Sequence, residues 1–163
     1  MGGYIASSKE IIDYLRSQSS GNLYHNSMSP IICQQILTAL KIIKGEDGTE
    51  LGKRKLTSLV SNSNYFRGEM KRLGLHVYGN EDSPIIPVLI YQPGKLAAFS
   101  RECLKRGLAV VVVGFPATSV ILNRVRFCIS AAHTRQDLEF AVKVIEEVSS
   151  LICIRYALTT LGN

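Results

Sequence analysis

The residues Gly107-Leu-Ala-Val-Val-Val-Val-Gly-Phe-Pro-Ala-Thr118, and after them Asn123-Arg-Val-Arg-Phe-Cys-Ile-Ser-Ala-Ala-His-Thr134, decide how this chain is read. Residues 109–113 are an apolar, mostly β-branched run that Gly114-Phe115-Pro116 stops abruptly. Such a run predicts a strand buried on both faces that ends in a stiff turn. The second stretch alternates instead. Val125, Phe127 and Ile129 point one way, and Arg124, Arg126, Cys128 and Ser130 the other. Two arginines on one face beside a glycine-proline turn form a candidate anion grip.

Working outward, the chain has 163 residues, 46% of them apolar, and a net charge of +6. That length supports one domain with its own core. The apolar content has two readings: an α/β core with buried strands, or a surface meant for a missing domain or subunit. No segment reaches the ~20 apolar residues of a membrane-spanning helix, and no signal-peptide pattern is visible at Met1. Lys53-Arg54-Lys55 is interleaved with Glu46, Asp47, Glu50 and Glu69 and lacks any nucleic-acid signature, so a solvated helix face is expected there. Cys33, Cys103, Cys128 and Cys153 are scattered, which predicts free thiols and no zinc site.

Periodicity predicts a helix over 7–16, a polar loop over 17–22, and a helix from Ser29-Pro30 to Gly45. Asp47-Gly-Thr-Glu50 resembles a capping box that opens a longer helix ending at Gly74. Its stripe is Leu51, Leu56, Leu59, Val60, Phe66, Met70 and Leu73, and Gly52 and Gly68 weaken its continuity. Strands are expected at 85–91, 109–113 and 126–130, the first near a sheet edge because of Pro84 and Pro87. Leu96, Phe99, Cys103 and Leu104 mark a helix between the first two, and Thr134-Arg-Gln-Asp137 caps the last helix. The order β-α-β-β-α after residue 80 gives the fold class: α/β, with an α+β-like small sheet of about three strands covered by helices on one face.

The motifs Gly114-Phe-Pro-Ala-Thr118, Arg124-x-Arg126 and Ser130-Ala-Ala-His-Thr134 resemble the C-terminal part of the α-oxoamine synthases. These are fold type I enzymes that use pyridoxal 5′-phosphate (PLP) to join an amino acid to an acyl-CoA. Within them the nearest likeness is to the catalytic long-chain-base subunits of eukaryotic serine palmitoyltransferases. Gly2-Gly-Tyr-Ile-Ala6, Ile12-Asp-Tyr-Leu-Arg16, Gly48-Thr49 and Tyr78-Gly-Asn-Glu-Asp-Ser-Pro84 extend the resemblance from Gly2 to about Tyr156.

The resemblance implies four segments: 1–45, the end of the large PLP domain with its dimer-facing part; 46–75, a connecting helix; 76–156, a small C-terminal domain; and 157–163, a tail. It implies that Arg126 grips the substrate carboxylate. Gly114, Phe115, Pro116, Ala117 and Thr118 would form a loop over the active site, with Ser119 where the family usually has proline. Ser27 and Asn26 would reach the cofactor phosphate across a dimer with a second long-chain-base subunit, Asn26 replacing the usual threonine. L-serine and palmitoyl-CoA would be the substrates, and the parent would sit at the endoplasmic reticulum membrane. The family's Schiff-base lysine would fall before Met1, so the resemblance places no catalytic residue in the chain and implies that it is inactive alone.

Arg124 is expected in a surface ion pair. His25, His76 and His133 suit local structural roles, and no hydrolase triad is apparent. The alternatives are a non-catalytic module that pairs with a full-length subunit, or a sister α-oxoamine synthase.

Overall fold

The computed structural model describes residues 4–24 and 26–156. Gly2, Gly3, His25 and the 157–163 tail therefore lie outside the described residues. The chain forms two compact units, Met1–Lys53 and Arg54–Asn163.

The first unit carries helices α1 (Lys9–Gln18), α2 (Ser20–Tyr24) and α3 (Pro30–Lys44). The expected polar loop over 17–22 is instead helical except at Ser19, which accepts amide hydrogens from Asn22 and Leu23 and starts a new turn. Proline at the first position and Gly45 in the left-handed region, with φ of 77°, bound α3 as the sequence predicts. None of these three helices contains a buried residue. Ile31, Leu37 and Ile43 on α3 stand about half or more exposed. In these helices the apolar residues are exposed and build no core of their own.

Helix α4 (Leu51–Arg72) runs unbroken through Gly52 and Gly68. It opens three residues later than a capping box at Asp47 and Glu50 would require, since that box would start the helix at Gly48. Asp47 instead takes the Thr49 amide and hydroxyl, and the Thr49 hydroxyl receives the Leu51 amide. Of its apolar stripe, Phe66 and Met70 are buried whereas Leu56 and Val60 are exposed. Gly74, at φ of 76°, ends it with the Leu75 amide bonded back to the Met70 carbonyl.

The second unit is a four-stranded antiparallel sheet, in the order β1 (His76–Val77), β2 (Ile85–Leu89), β4 (Arg124–Cys128), β3 (Val111–Val113). Helices α5 (Pro93–Lys105) and α6 (Arg135–Leu151), with the second half of α4, supply Phe66, Phe99, Val142 and Ile145 to one core with Ile86, Val88, Val125 and Phe127. The expected sheet with helices on one face is present. Leu104, counted in the α5 stripe, faces outward. The two-residue β1 is too short to leave a periodic signal and adds the fourth strand.

Two strand positions differ from expectation. The valine run is an edge strand, shorter than 109–113 and not buried on both faces: Val111 is 49% and Val112 37% exposed. Its β-branched character reflects local preference for extended backbone rather than burial. The proline-bearing strand is central. Pro87 is tolerated there because its carbonyl accepts from Tyr78 on the β1 side, and β1 itself ends at Val77. The missing amide hydrogen therefore points past the end of that ladder.

Candidate functional site

The alternation read along β4 is realised. Val125 and Phe127 are buried under the helices, while Arg126 and Cys128 open onto the other face. The register sets Arg126 between Pro87 of β2 and Val111 of β3, and Arg124 between Leu89 and Val113. The outward positions of the four strands hold His76, Ile85, Pro87, Leu89, Val111, Val113 and these two arginines with Cys128, but no carboxylate. Among the described residues the Arg126 side chain has neither a hydrogen-bond partner nor a counter-ion. It is an available guanidinium on an otherwise apolar floor.

Arg124 departs from its expected ion pair. Its Nε donates to the Leu122 carbonyl at 3.2 Å, and its guanidinium carbon lies 5.7 Å from the centre of the Tyr78 ring. With no acid at an outward strand position, the aromatic ring takes the place of a salt-bridge partner.

The 114–118 loop leaves the sheet directly after β3, and its turn is closed by the Ala117 and Thr118 amides on the Gly114 carbonyl. Phe115 is exposed at its tip, and Phe115-Pro116 is a cis peptide. The Thr118 hydroxyl oxygen is buried with no partner. A 3-10 turn (Val120–Leu122) then leads into β4. The loop thus follows Val113, which pairs with Arg124, whereas Arg126 pairs with Val111 at the start of β3; the loop and Arg124 share one end of the sheet, and Arg126 lies two residues further along β4.

Asn123 organises this end, and sequence reading missed it. Buried to 1% exposure, it donates from Nδ2 to the Tyr91 carbonyl at 2.7 Å and to the Val120 carbonyl at 2.5 Å. Its own carbonyl receives the Ile90 and Tyr91 amides. Those bonds hold Tyr91 at a φ of 63°, a conformation rare for a residue with a side chain. The Tyr91 hydroxyl also meets His76 Nδ1, and its ring packs edge-on against Tyr156. A lone polar residue between a loop and an alternating strand was the available signal.

Arg67 was missed as well. It is 5% exposed, and its terminal nitrogens donate to the carbonyls of Asn80, Glu81 and Ser83 and to Asn64 Oδ1. Four neutral acceptors saturate the four terminal hydrogens, which fixes the loop between β1 and β2. Its signal was a charged residue between Phe66 and Met70 on an apolar stripe. His133 has the local role expected, accepting the Ser130 amide at Nδ1.

Asn26 and Ser27 lie in the first unit, exposed, in the segment before α3. Ser29 caps α3 by backbone alone and makes no side-chain bond to the first turn. The amides at the start of α3 thus have no side-chain acceptor from that residue. A serine hydroxyl beside such amides is a donor set suited to a phosphate.

The sequence model for aminotransferase class I and II matches residues 1–145. The chain belongs to that family. It is 51% identical over 156 residues to serine palmitoyltransferase 2 of Dictyostelium discoideum, covering 96% of this chain and 32% of that protein. It is 52% identical over 155 residues to long chain base biosynthesis protein 2a of Arabidopsis thaliana, covering 95% of this chain and 32% of the relative. The chain therefore spans about a third of the length of the curated relatives it matches. A solved serine palmitoyltransferase containing PLP superposes with a TM-score of 0.75 at 20% identity, over 91% of this chain and 36% of the other. At that identity the superposition establishes the family fold.

Proposed function

We propose that this chain supplies the substrate grip and covering loop of a PLP-dependent enzyme that condenses L-serine with palmitoyl-CoA. Carbon dioxide and CoA leave, and 3-ketosphinganine, the first intermediate of sphingolipid synthesis, is formed. The observation that carries this reading is Arg126, strand-mounted and without a counter-ion among strand positions that hold no acid. The half-identical relatives support it over nearly the whole chain.

A guanidinium set on a strand holds a carboxylate through two parallel hydrogen bonds and fixes its plane. Fixing the serine carboxylate orients the bond from Cα to that group, which is the bond to be broken. When bound, PLP supplies the electron sink for that cleavage. The 114–118 loop, one turn from the arginine pair, would cover the site and keep water out. Ser27, Asn26 and the first-turn amides of α3 would meet the cofactor phosphate of a neighbouring subunit, the covalent anchor lying in the part of its relatives' length that this chain does not span.

The partner in this reading is a second long-chain-base subunit, and the exposed apolar residues of α1 and α3 support such a contact. The assembly would work at the endoplasmic reticulum membrane. Among the described residues no helix is long and apolar enough to cross a membrane.

The test is Arg126→Lys in the assembled enzyme. Lysine keeps the charge but cannot form the two-pronged grip, so the KM for serine should rise about tenfold or more, roughly one such bond's worth. Palmitoyl-CoA saturation should change little. An unaltered KM for serine would sink the proposal.

A further inference from the structure

We propose that Arg124 is the second half of a two-anion site on the outer sheet face, taking a phosphate group while Arg126 takes the carboxylate. Only the share assigned to Arg126 rests on the function proposed above.

The argument begins with charge. Arg124 and Arg126 are alternate residues of one strand and emerge on one face roughly 7 Å apart. No Asp or Glu occupies an outward position of any of the four strands, so the pair leaves two uncompensated positive charges. A zwitterionic amino acid held at Arg126 brings as much positive charge as negative. Arg124 then remains unanswered. A phosphate carries about −1.5 to −2 at neutral pH and matches what is left.

Geometry supplies the second part. Arg124 is braced: Nε is spent on the Leu122 carbonyl, and Tyr78 lies under the guanidinium. What remains free is the pair of terminal amino groups, presented end-on in the fork that suits phosphate oxygens. The brace is itself anchored, because Tyr78 leads into the loop whose carbonyls Arg67 holds, and the Tyr78 amide bonds to Pro87. A surface arginine without a function gains nothing from being fixed this way. One fixed in advance loses less entropy when an anion arrives. Phosphate could come from the CoA portion of the acyl donor or from the cofactor.

The test uses the 163-residue chain, labelled with nitrogen-15, and follows the arginine Nε–H resonances. Arg124→Lys and Arg126→Lys variants assign them. Inorganic pyrophosphate is the primary probe and L-serine the second. Pyrophosphate should shift the Arg124 resonance saturably, and Arg124→Gln should weaken its binding at least fivefold while changing the serine response of Arg126 less than twofold. Tyr78→Leu should weaken pyrophosphate about threefold, and Tyr78→Phe should restore it; this pair carries the test if Arg124→Gln does not fold. Tighter binding of CoA than of pyridoxal 5′-phosphate assigns the site to the acyl donor, and the reverse order assigns it to the cofactor. An unmoved Arg124 resonance, or equal affinity in folded Arg124→Gln, overturns the inference. If serine leaves Arg126 unmoved while pyrophosphate still moves Arg124, the carboxylate reading fails and the phosphate site stands.

Discussion

The side-chain oxygen of Asn123 lies 2.8 Å from where a Cβ on residue 114 would stand, and a Leu96 methyl lies at 3.3 Å. Glycine at 114 is therefore a matter of space and not of turn conformation. Gly114→Ala should push Asn123 off the carbonyls of Tyr91 and Val120 and destabilise the chain by about 1–3 kcal/mol, the usual range for overpacking. Urea denaturation monitored by circular dichroism would register this as a lower midpoint. An unchanged midpoint would mean that the Asn123 hub yields freely.

Arg67 invites the opposite experiment. Arg67→Met keeps the length of the side chain but strips hydrogen bonds from three loop carbonyls at once. With charge-assisted bonds contributing about 1.5–3 kcal/mol each and not adding fully, a loss of roughly 3 kcal/mol is expected. Limited proteolysis should then cut within 79–84, where the parent chain resists.

Thr118 contributes a buried hydroxyl with no partner. Thr118→Val removes it without opening a cavity and should stabilise the resting loop by about 1 kcal/mol. If the loop must shift during turnover, kcat of the assembled enzyme should fall as stability rises. Stability unchanged or lowered by the valine would argue that the hydroxyl finds a partner in solution.

Acid sensitivity has a local source at the start of α6. The hydrogen bonds from the Thr134 hydroxyl and amide hold the Asp137 carboxyl below its ordinary value of 3.8. A carboxyl lowered on folding adds stability that is complete above its unfolded value and is lost as pH falls through 3.8 toward the folded value. Thr134→Ala should lower stability at pH 7 by about 1 kcal/mol, as lost caps do. It should also flatten the acid limb of a plot of denaturation midpoint against pH. A limb of unchanged steepness would place the acid sensitivity elsewhere.

What the sequence made legible followed from short-range chemistry. Alternation along 124–128, the Thr134–Asp137 capping box and the Gly45 and Gly74 stops are each decided by a few neighbouring residues, and each is present. The family motifs also singled out Arg126, which stands on the open face of β4, and the 114–118 loop, which follows β3. What stayed hidden depends on residues distant in sequence. Burial of the valine run turned on which strand would lie beside it, and the place of Pro87 turned on where β1 stops. Asn123 and Arg67 bind main-chain carbonyls, and a carbonyl acceptor leaves no mark in the identity of the residue that carries it. Arg124 misled for a related reason: its partner is a ring across the sheet and not the carboxylate that composition makes more common.

The Arg67 clamp also bears on the order in which the chain assembles. Its loop acceptors lie 13, 14 and 16 residues ahead of it in sequence. Contacts this close need little loop closure, so they can form before the long-range pairing of β2 with β4 that completes the sheet. A cationic side chain sealed inside a polypeptide cage thus gives the chain an early landmark. The end of α4 and the approach to β2 are expected to join before the strand bearing Arg126 arrives, and φ-values higher at Arg67 than at Val125 would bear this out.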